Sequence, residues 1–157
     1  MGKNIRLKFS FLIVGLLTVL IACNRSNPVN YSNFELAPDL LINPELEGLV
    51  TMRIDIDSLA LTETIENHSN HQIGLGDSSV EYFDGNNWRT VPLRADFEFT
   101  AILETVASYD SNESLFDLDW YDTPLRGSFR FRRSIFIDLG SGRPTDLHDL
   151  SVEFSLN

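Results

Sequence analysis

From Val50 onward, short stretches of alternating apolar and polar residues are separated by turn-forming residues. In the first stretch, alternate positions are apolar, at Met52, Ile54 and Ile56. The positions between them are charged, at Arg53, Asp55 and Asp57. A period of two is typical of a strand that buries one face. Because no stretch beyond residue 22 keeps a helical period over three turns, the pattern predicts an all-β domain.

Further strands are predicted wherever the alternation returns. They lie at about residues 59–65, 72–75, 80–83, 88–91, 97–105, 116–118, 128–139 and 150–156. Asp84-Gly85-Asn86-Asn87 separates two of them and is a strong hairpin signal, because glycine and asparagine tolerate positive φ angles. About seven to nine short strands with regular turns favour an antiparallel β-sandwich, and a β-barrel is the alternative.

The first 22 residues have the pattern of an export signal. Lys3, Arg6 and Lys8 precede an apolar run over residues 9–22, which is too short to cross a bilayer comfortably. The run ends in Leu20-Ile21-Ala22-Cys23, which resembles a bacterial lipobox. The resemblance implies cleavage before Cys23 and attachment of diacylglycerol to its Sγ atom. An ordinary signal peptide or a short anchor helix is the alternative.

These features predict three parts of the chain. Residues 1–22 are expected to be a lipoprotein signal peptide, and residues 23–48 a lipidated cysteine and a flexible tether that contains Pro28, Pro38 and Pro44. Residues 49–157 are expected to form the sandwich. Within the tether, Leu40-Leu41-Ile42 is either a short first strand or a patch that docks on the domain.

Charge and cysteine content limit the possible roles. Removing residues 1–22 takes away three basic residues and no acidic residue, so the formal charge changes from −11 to −14. So acidic a surface repels phosphates, and we expect no nucleic-acid partner. The chain contains one cysteine, so no disulfide can form within it and the core must hold the fold.

The strand predicted at residues 128–139 carries three basic side chains in this acidic chain, at Arg130, Arg132 and Arg133. Its alternation directs Arg130 and Arg132 to solvent and Arg133 inward, a conflict that a β-bulge could resolve. We interpret these arginines, with Arg126, as cross-strand partners of the many acids. A contact with an anionic polymer or glycan is the alternative.

Several turn and core motifs together resemble the bacterial immunoglobulin-like domain family, over roughly residues 50–138. They are Glu66-Asn67-His68-Ser69, Asp84-Gly85-Asn86-Asn87-Trp88, Val91-Pro92, Leu118-Asp119-Trp120-Tyr121 and Leu125-Arg126-Gly127-Ser128-Phe129-Arg130. Phe129 stands where the family more often has tyrosine. The resemblance implies an immunoglobulin-like sandwich and no defined enzymatic activity.

Six residues of these motifs are expected to be structural rather than catalytic: Asp84, Gly85, Trp88, Trp120, Gly127 and Phe129. We expect Gly127 to adopt a backbone conformation that a side chain would strain. We expect Trp88 to pack between the two sheets, so that Trp88→Ala would lower the free energy of unfolding by about 3–5 kcal/mol.

Metal and catalytic sites are not expected. His68 and His71 lie in a polar turn, and His148 lies far along the chain, so solvated histidines are the favoured interpretation. Asp117, Asp119 and Asp122 are close in sequence but lack the pattern of a calcium-binding loop, and calcium is the minority interpretation. No nucleotide-binding loop or nucleophile motif is present, and no cofactor is expected.

The sequence thus predicts a non-catalytic, lipid-anchored interaction or structural module at the extracytoplasmic face of a bacterial membrane. Its expected partners are the membrane, through Cys23, and an envelope protein or glycan. The alternative is a small envelope protein that binds a glycan or metal through exposed aromatics at Tyr82, Tyr109 or Tyr121. An enzyme is the least favoured of the three.

Overall fold

The computed structural model describes residues 33–97, 104–121, 126–137 and 145–156. These ranges contain eight β-strands: β1 (Val50–Asp57), β2 (Ala60–Asn67), β3 (Ile73–Phe83), β4 (Trp88–Thr90), β5 (Glu104–Val106), β6 (Asp110–Asp117), β7 (Gly127–Ile137) and β8 (Thr145–Leu156). A 3₁₀ helix at Leu118–Trp120 follows β6. In the ranges described, no helix is long and apolar enough to span a membrane.

The strands form two antiparallel sheets. A three-stranded sheet has the order β1-β2-β6, and a five-stranded sheet has the order β4-β3-β7-β8 with β5 also paired to β3. The predicted sandwich is therefore confirmed over the barrel alternative.

The interior between the sheets holds two apolar clusters. The first contains Leu46, Val50, Ile65, Ile73, Leu75, Val106, Ile135, Ile137 and Leu150. The second contains Leu61, Val80, Val91, Phe116, Leu118, Phe129 and Phe131. Alternate residues of β7, from Phe129 to Ile137, contribute to both clusters, because the side chains of a strand point to one face at every second position.

Several predicted strands differ in extent from the observed ones. The stretches at 72–75 and 80–83 form one strand, β3, because Gly76 and Asp77 lie at a register shift against β7 and do not make a turn. Strand β6 begins at Asp110 and β8 at Thr145, both earlier than predicted. Of the strand predicted at 97–105, only the end falls in β5, and residues 98–103 lie outside the described ranges.

The segment at residues 33–47, hereafter the N-terminal segment, packs on the sandwich, so the predicted flexible tether is wrong for these residues. Its backbone bonds to β4, with Thr90 N–H donating to Glu35 O at 2.9 Å and Ala37 N–H donating to Trp88 O at 3.0 Å. At its other end, Leu46 is 1% exposed and belongs to the first apolar cluster. Proline and polar content suggested a tether, but backbone pairing and one buried leucine attach this part to the domain.

Candidate functional site

Buried charges lie on the outer face of the five-stranded sheet, where the sequence predicts solvent-facing arginines. Arg130 and Glu81 are directly opposite each other on β7 and β3, and the Arg130 Nε–H donates to Glu81 Oε2. Arg132 Nη2 donates to Asp149 Oδ2 of β8 at 2.6 Å. All four side chains are buried, so the solvent-facing prediction is wrong. The predicted pairing of these arginines with acids is confirmed.

The N-terminal segment covers this charge cluster. Arg132 donates to the backbone oxygens of Pro38 at 2.9 Å and Asp39 at 3.3 Å. Leu41 N–H donates to Asp149 Oδ2 at 2.8 Å, and Asp149 N–H donates to Leu41 O at 2.7 Å. Of the two interpretations of Leu40-Leu41-Ile42, the structure therefore supports docking.

The contacts of Asp149 stabilise its charged form. Burial raises the pKa of Asp149, but the hydrogen bonds from Arg132, Leu41 N–H and Ser134, with the charge of Arg132, outweigh burial and hold the pKa below its usual range. The carboxylate thus remains ionised as the anchor of the N-terminal segment.

A polar groove of about 330 Å³ lies beside the outer charge cluster. It is lined by Pro38, Asp77, Ser78, Ser79, Glu81, Thr90, Arg132 and Ser134.

A second ion pair crosses the interior between the two sheets. Arg133 of β7 points inward, and its Nε lies 3.7 Å from Glu63 Oε2 on β2. Its Nη2 donates to Glu104 Oε2 at 3.2 Å, and its guanidinium lies 5.7 Å from the centre of the Phe116 ring. The bulge considered for β7 lies instead in its partner β3, so Arg133 keeps its inward position.

This interior pair is incompletely hydrogen-bonded. Glu63 is 0% exposed, and neither of its carboxylate oxygens accepts a hydrogen bond from a described residue. Burial raises the pKa of Glu63 to about 7; the charge of Arg133 opposes this rise and that of Glu104 adds to it. Burial without a hydrogen-bond donor thus disfavours the charged form of Glu63 and brings its pKa close to neutral pH.

We expect Glu63 to make stability depend on pH. Its folded-state pKa of about 7 exceeds its ordinary value of 4.5, so the folded state binds the proton more tightly. Its contribution to stability is then complete below about pH 4.5 and is lost as pH rises to about 7. Urea unfolding at several pH values should show the wild type losing stability relative to Glu63→Gln across this window. Parallel pH profiles of the two proteins would contradict the assignment.

An open groove of about 530 Å³ lies where the β1–β2 turn meets the end of β6. It is lined by Asp57, Ser58, Leu59, Ala60, Leu115, Phe116, Asp117, Asp119 and Trp120. Leu118 N–H donates to Leu59 O at 2.8 Å and so joins the turn to the 3₁₀ helix. Apolar side chains and three carboxylates therefore meet at one end of the three-stranded sheet.

Trp88 does not pack between the sheets as predicted. It pairs with Phe83 on the outer face of the five-stranded sheet, with ring centroids 5.1 Å apart. The Arg130 guanidinium lies 4.6 Å from the centre of the Trp88 ring. The tryptophan is half-buried and shields the outer charge cluster, and the interior is filled by other aromatics.

The remaining motif residues occupy turns and the core. Asp84 accepts hydrogen bonds from Asn86 and Asn87 N–H and from Arg89 Nε; these bonds, with the charge of Arg89, lower its pKa to about 2 despite some desolvation. Gly85 has φ of 100° in this turn.

Gly127 has φ of 115°, and a Cβ there would lie 3.1 Å from the Tyr82 ring. Phe129 is fully buried and packs against that ring, and Trp120 stacks on Phe97.

The predicted histidine and aspartate positions do not come together. His68 is exposed and lies 3.4 Å from Glu66, whereas His148 is buried and accepts a hydrogen bond from Asn43 N–H. Asp117 caps the 3₁₀ helix by accepting from Asp119 N–H at 2.9 Å, and Asp122 lies outside the described residues. Across the described part of the chain, no group of three or more histidine, cysteine or acidic residues could hold a metal ion.

The three tyrosines proposed as ligand contacts differ in exposure. Tyr109 is 74% exposed, whereas Tyr82 and Tyr121 pack against the second apolar cluster, so an exposed aromatic surface is wrong for these two. Leu20, Ile21, Ala22 and Cys23 lie outside the described residues.

Comparison with models of protein families gives a match to most of the described strands. The model of a family described as "Bacterial Ig-like domain" matches residues 47–155, which run from just before β1 almost to the end of β8. No curated protein matches the chain.

Proposed function

Because the chain belongs to the bacterial Ig-like domain family, we propose that it is a non-catalytic interaction module held by a lipid on Cys23 at the extracytoplasmic face of a bacterial membrane. The family match is the observation that supports the module. The buried charged groups are consistent with a non-catalytic role. Those in the outer cluster and the interior pair form ion pairs with other side chains of the same domain.

The lipid anchor is supported by the sequence of the leader. The single cysteine of the chain directly follows Leu20-Ile21-Ala22 at the end of an apolar run. Each methylene group buried in the bilayer contributes about 0.8 kcal/mol, so two or more acyl chains give firm attachment. Residues 24–32 would separate the lipid from the N-terminal segment, and a fully extended chain of this length reaches about 30 Å. The domain would therefore work close to the membrane surface.

Metabolic labelling with a fatty acid that carries an alkyne tests the anchor. The wild type is expected to incorporate the label on the peptide that contains Cys23, and Cys23→Ser is expected to lose it. A matched control moves the thiol by three residues, as Ser26→Cys in the Cys23→Ser background. This control should also remain unlabelled, because its cysteine no longer follows the motif. Equal labelling of both thiols, or none on the wild type, would refute anchoring through the motif.

A further inference from the structure

The groove at the β1–β2 turn combines exposed apolar surface with aspartates that form no ion pair with any described residue. Leu59 is 46% exposed and Leu115 is 68% exposed, although both are large aliphatic side chains. Trp120 forms part of the wall and is held in place by stacking on Phe97, with ring centroids 4.5 Å apart. The volume of about 530 Å³ falls within the usual range for small-ligand sites.

Three carboxylates surround this apolar surface. Ala60 pairs with Asp57 on one side and with Asp117 on the other, so these two acids lie on strands that flank β2. Strand spacing places their backbones about 10 Å apart. Asp119 follows on the 3₁₀ helix. Among the residues described, no arginine, lysine or histidine lies within ion-pair distance of these three acids. Asp57 accepts a hydrogen bond from Ser58 Oγ, and Asp117 accepts one from Asp119 N–H.

From this arrangement we propose that the groove binds a short segment of a partner protein in which an apolar side chain lies next to arginine or lysine. The apolar side chain would cover Leu59 and Leu115, and the cations would pair with the aspartates. This inference rests on the proposed function, because it identifies the surface through which the interaction module acts. Charge complementarity selects the occupant.

Other occupants fit the surface less well. A second copy of this acidic chain would bring further negative charge against the groove, and phosphate groups would be repelled for the same reason. A divalent cation would compensate the aspartates but would leave the two leucines exposed. A segment with both apolar and basic side chains satisfies both parts of the surface.

The test uses the full chain purified in mild detergent and a fluorescent hexapeptide of alternating leucine and arginine. Fluorescence anisotropy should show saturable binding, and a peptide with glutamate in place of arginine should not bind. The double variant Asp57→Asn with Asp117→Asn is expected to weaken binding about three- to tenfold, because each partly exposed ion pair contributes little. Leu115→Ser, at a position 68% exposed, is also expected to weaken binding without affecting folding.

A matched control removes two carboxylates from the same sheet outside the groove. Asp55 and Glu113 are exposed residues of β1 and β6, and Asp55→Asn with Glu113→Gln should leave binding unchanged. Equal weakening by both double variants would show a general effect of acidity and would overturn the proposal. Failure of the arginine peptide to bind, or equal binding of the glutamate peptide, would also overturn it.

Two further outcomes would assign the groove to another occupant. A rise in melting temperature with calcium alone that is lost in the Asp57→Asn, Asp117→Asn variant would identify a cation site. A concentration-dependent dimer that is lost in Leu115→Ser would identify a second copy. Either result overturns the peptide proposal. Fatty-acid labelling of Cys23 is measured independently, so loss of the groove proposal and loss of the anchor are distinguishable.

Discussion

Replacing Arg133 with methionine is expected to lower the free energy of unfolding by about 3–5 kcal/mol at pH 8, because Glu63 loses the positive charge that favours its ionised form and must either stay charged without a partner or take up a proton in the interior. Glu63 is 0% exposed and Arg133 is 7% exposed, so water cannot replace the lost charge. Glu104 does not relieve it, since its carboxylate is also negative. Urea denaturation of the two proteins at the same pH measures this difference.

The size of this effect should depend on pH and on Glu63 itself. At pH 5 the loss is expected to be smaller, because Glu63 with a pKa of about 7 is protonated in the fold. Adding Glu63→Leu to Arg133→Met should recover most of the stability, since the double variant buries no charge at this place. Arg53→Met is the matched control: that arginine is 65% exposed, and its loss should cost less than about 1 kcal/mol. A denaturation midpoint unchanged in Arg133→Met at pH 8 would contradict the assigned role.

Replacing Phe131 with alanine is expected to destabilise the fold by about 3–5 kcal/mol, because it opens a cavity in the second apolar cluster. Phe131 is 1% exposed and packs against Phe116 across the sandwich, with ring centroids 5.0 Å apart. Trp88→Ala removes a larger ring from the outer face and should cost only about 1–2 kcal/mol, from the lost contacts with Arg130 and Phe83. Chemical denaturation measures the free energy of unfolding of both variants. A larger loss of stability in Trp88→Ala than in Phe131→Ala would contradict the assignment of the main core to the interior between the sheets.

The class of fold could be predicted from the alternation of β1 and the regular turn signals, because both reflect local backbone geometry. Trp88 shows where that reasoning failed. Its position after a tight turn suggested an interior aromatic, but pairing with Phe83 places it on the opposite face of the sheet. The register of a hairpin decides which face a side chain joins, and register depends on long-range pairing.

The packing of the N-terminal segment could be predicted only in part, as one of two alternatives for Leu40-Leu41-Ile42 within a flexible tether. Its attachment depends on Asp149, more than one hundred residues away in the chain, which bonds the Leu41 backbone. No local pattern encodes such a contact. The interior pair left a partial signal: Glu63 and Arg133 both interrupt apolar positions of alternating strands. Two opposite charges at inward positions are the sequence signature of a buried pair, but which strands would bring them together could not be derived from the pattern.

The central proposal is that a non-catalytic Ig-like domain is attached to a bacterial membrane through the Sγ atom of Cys23. Intact-mass spectrometry of the protein extracted from membranes, with sequencing of its first peptide, measures this directly. We predict a chain that begins at Cys23 and carries the mass of a diacylglyceryl group on that residue. A chain that still contains Ala22 and has a free thiol at Cys23 would contradict the account.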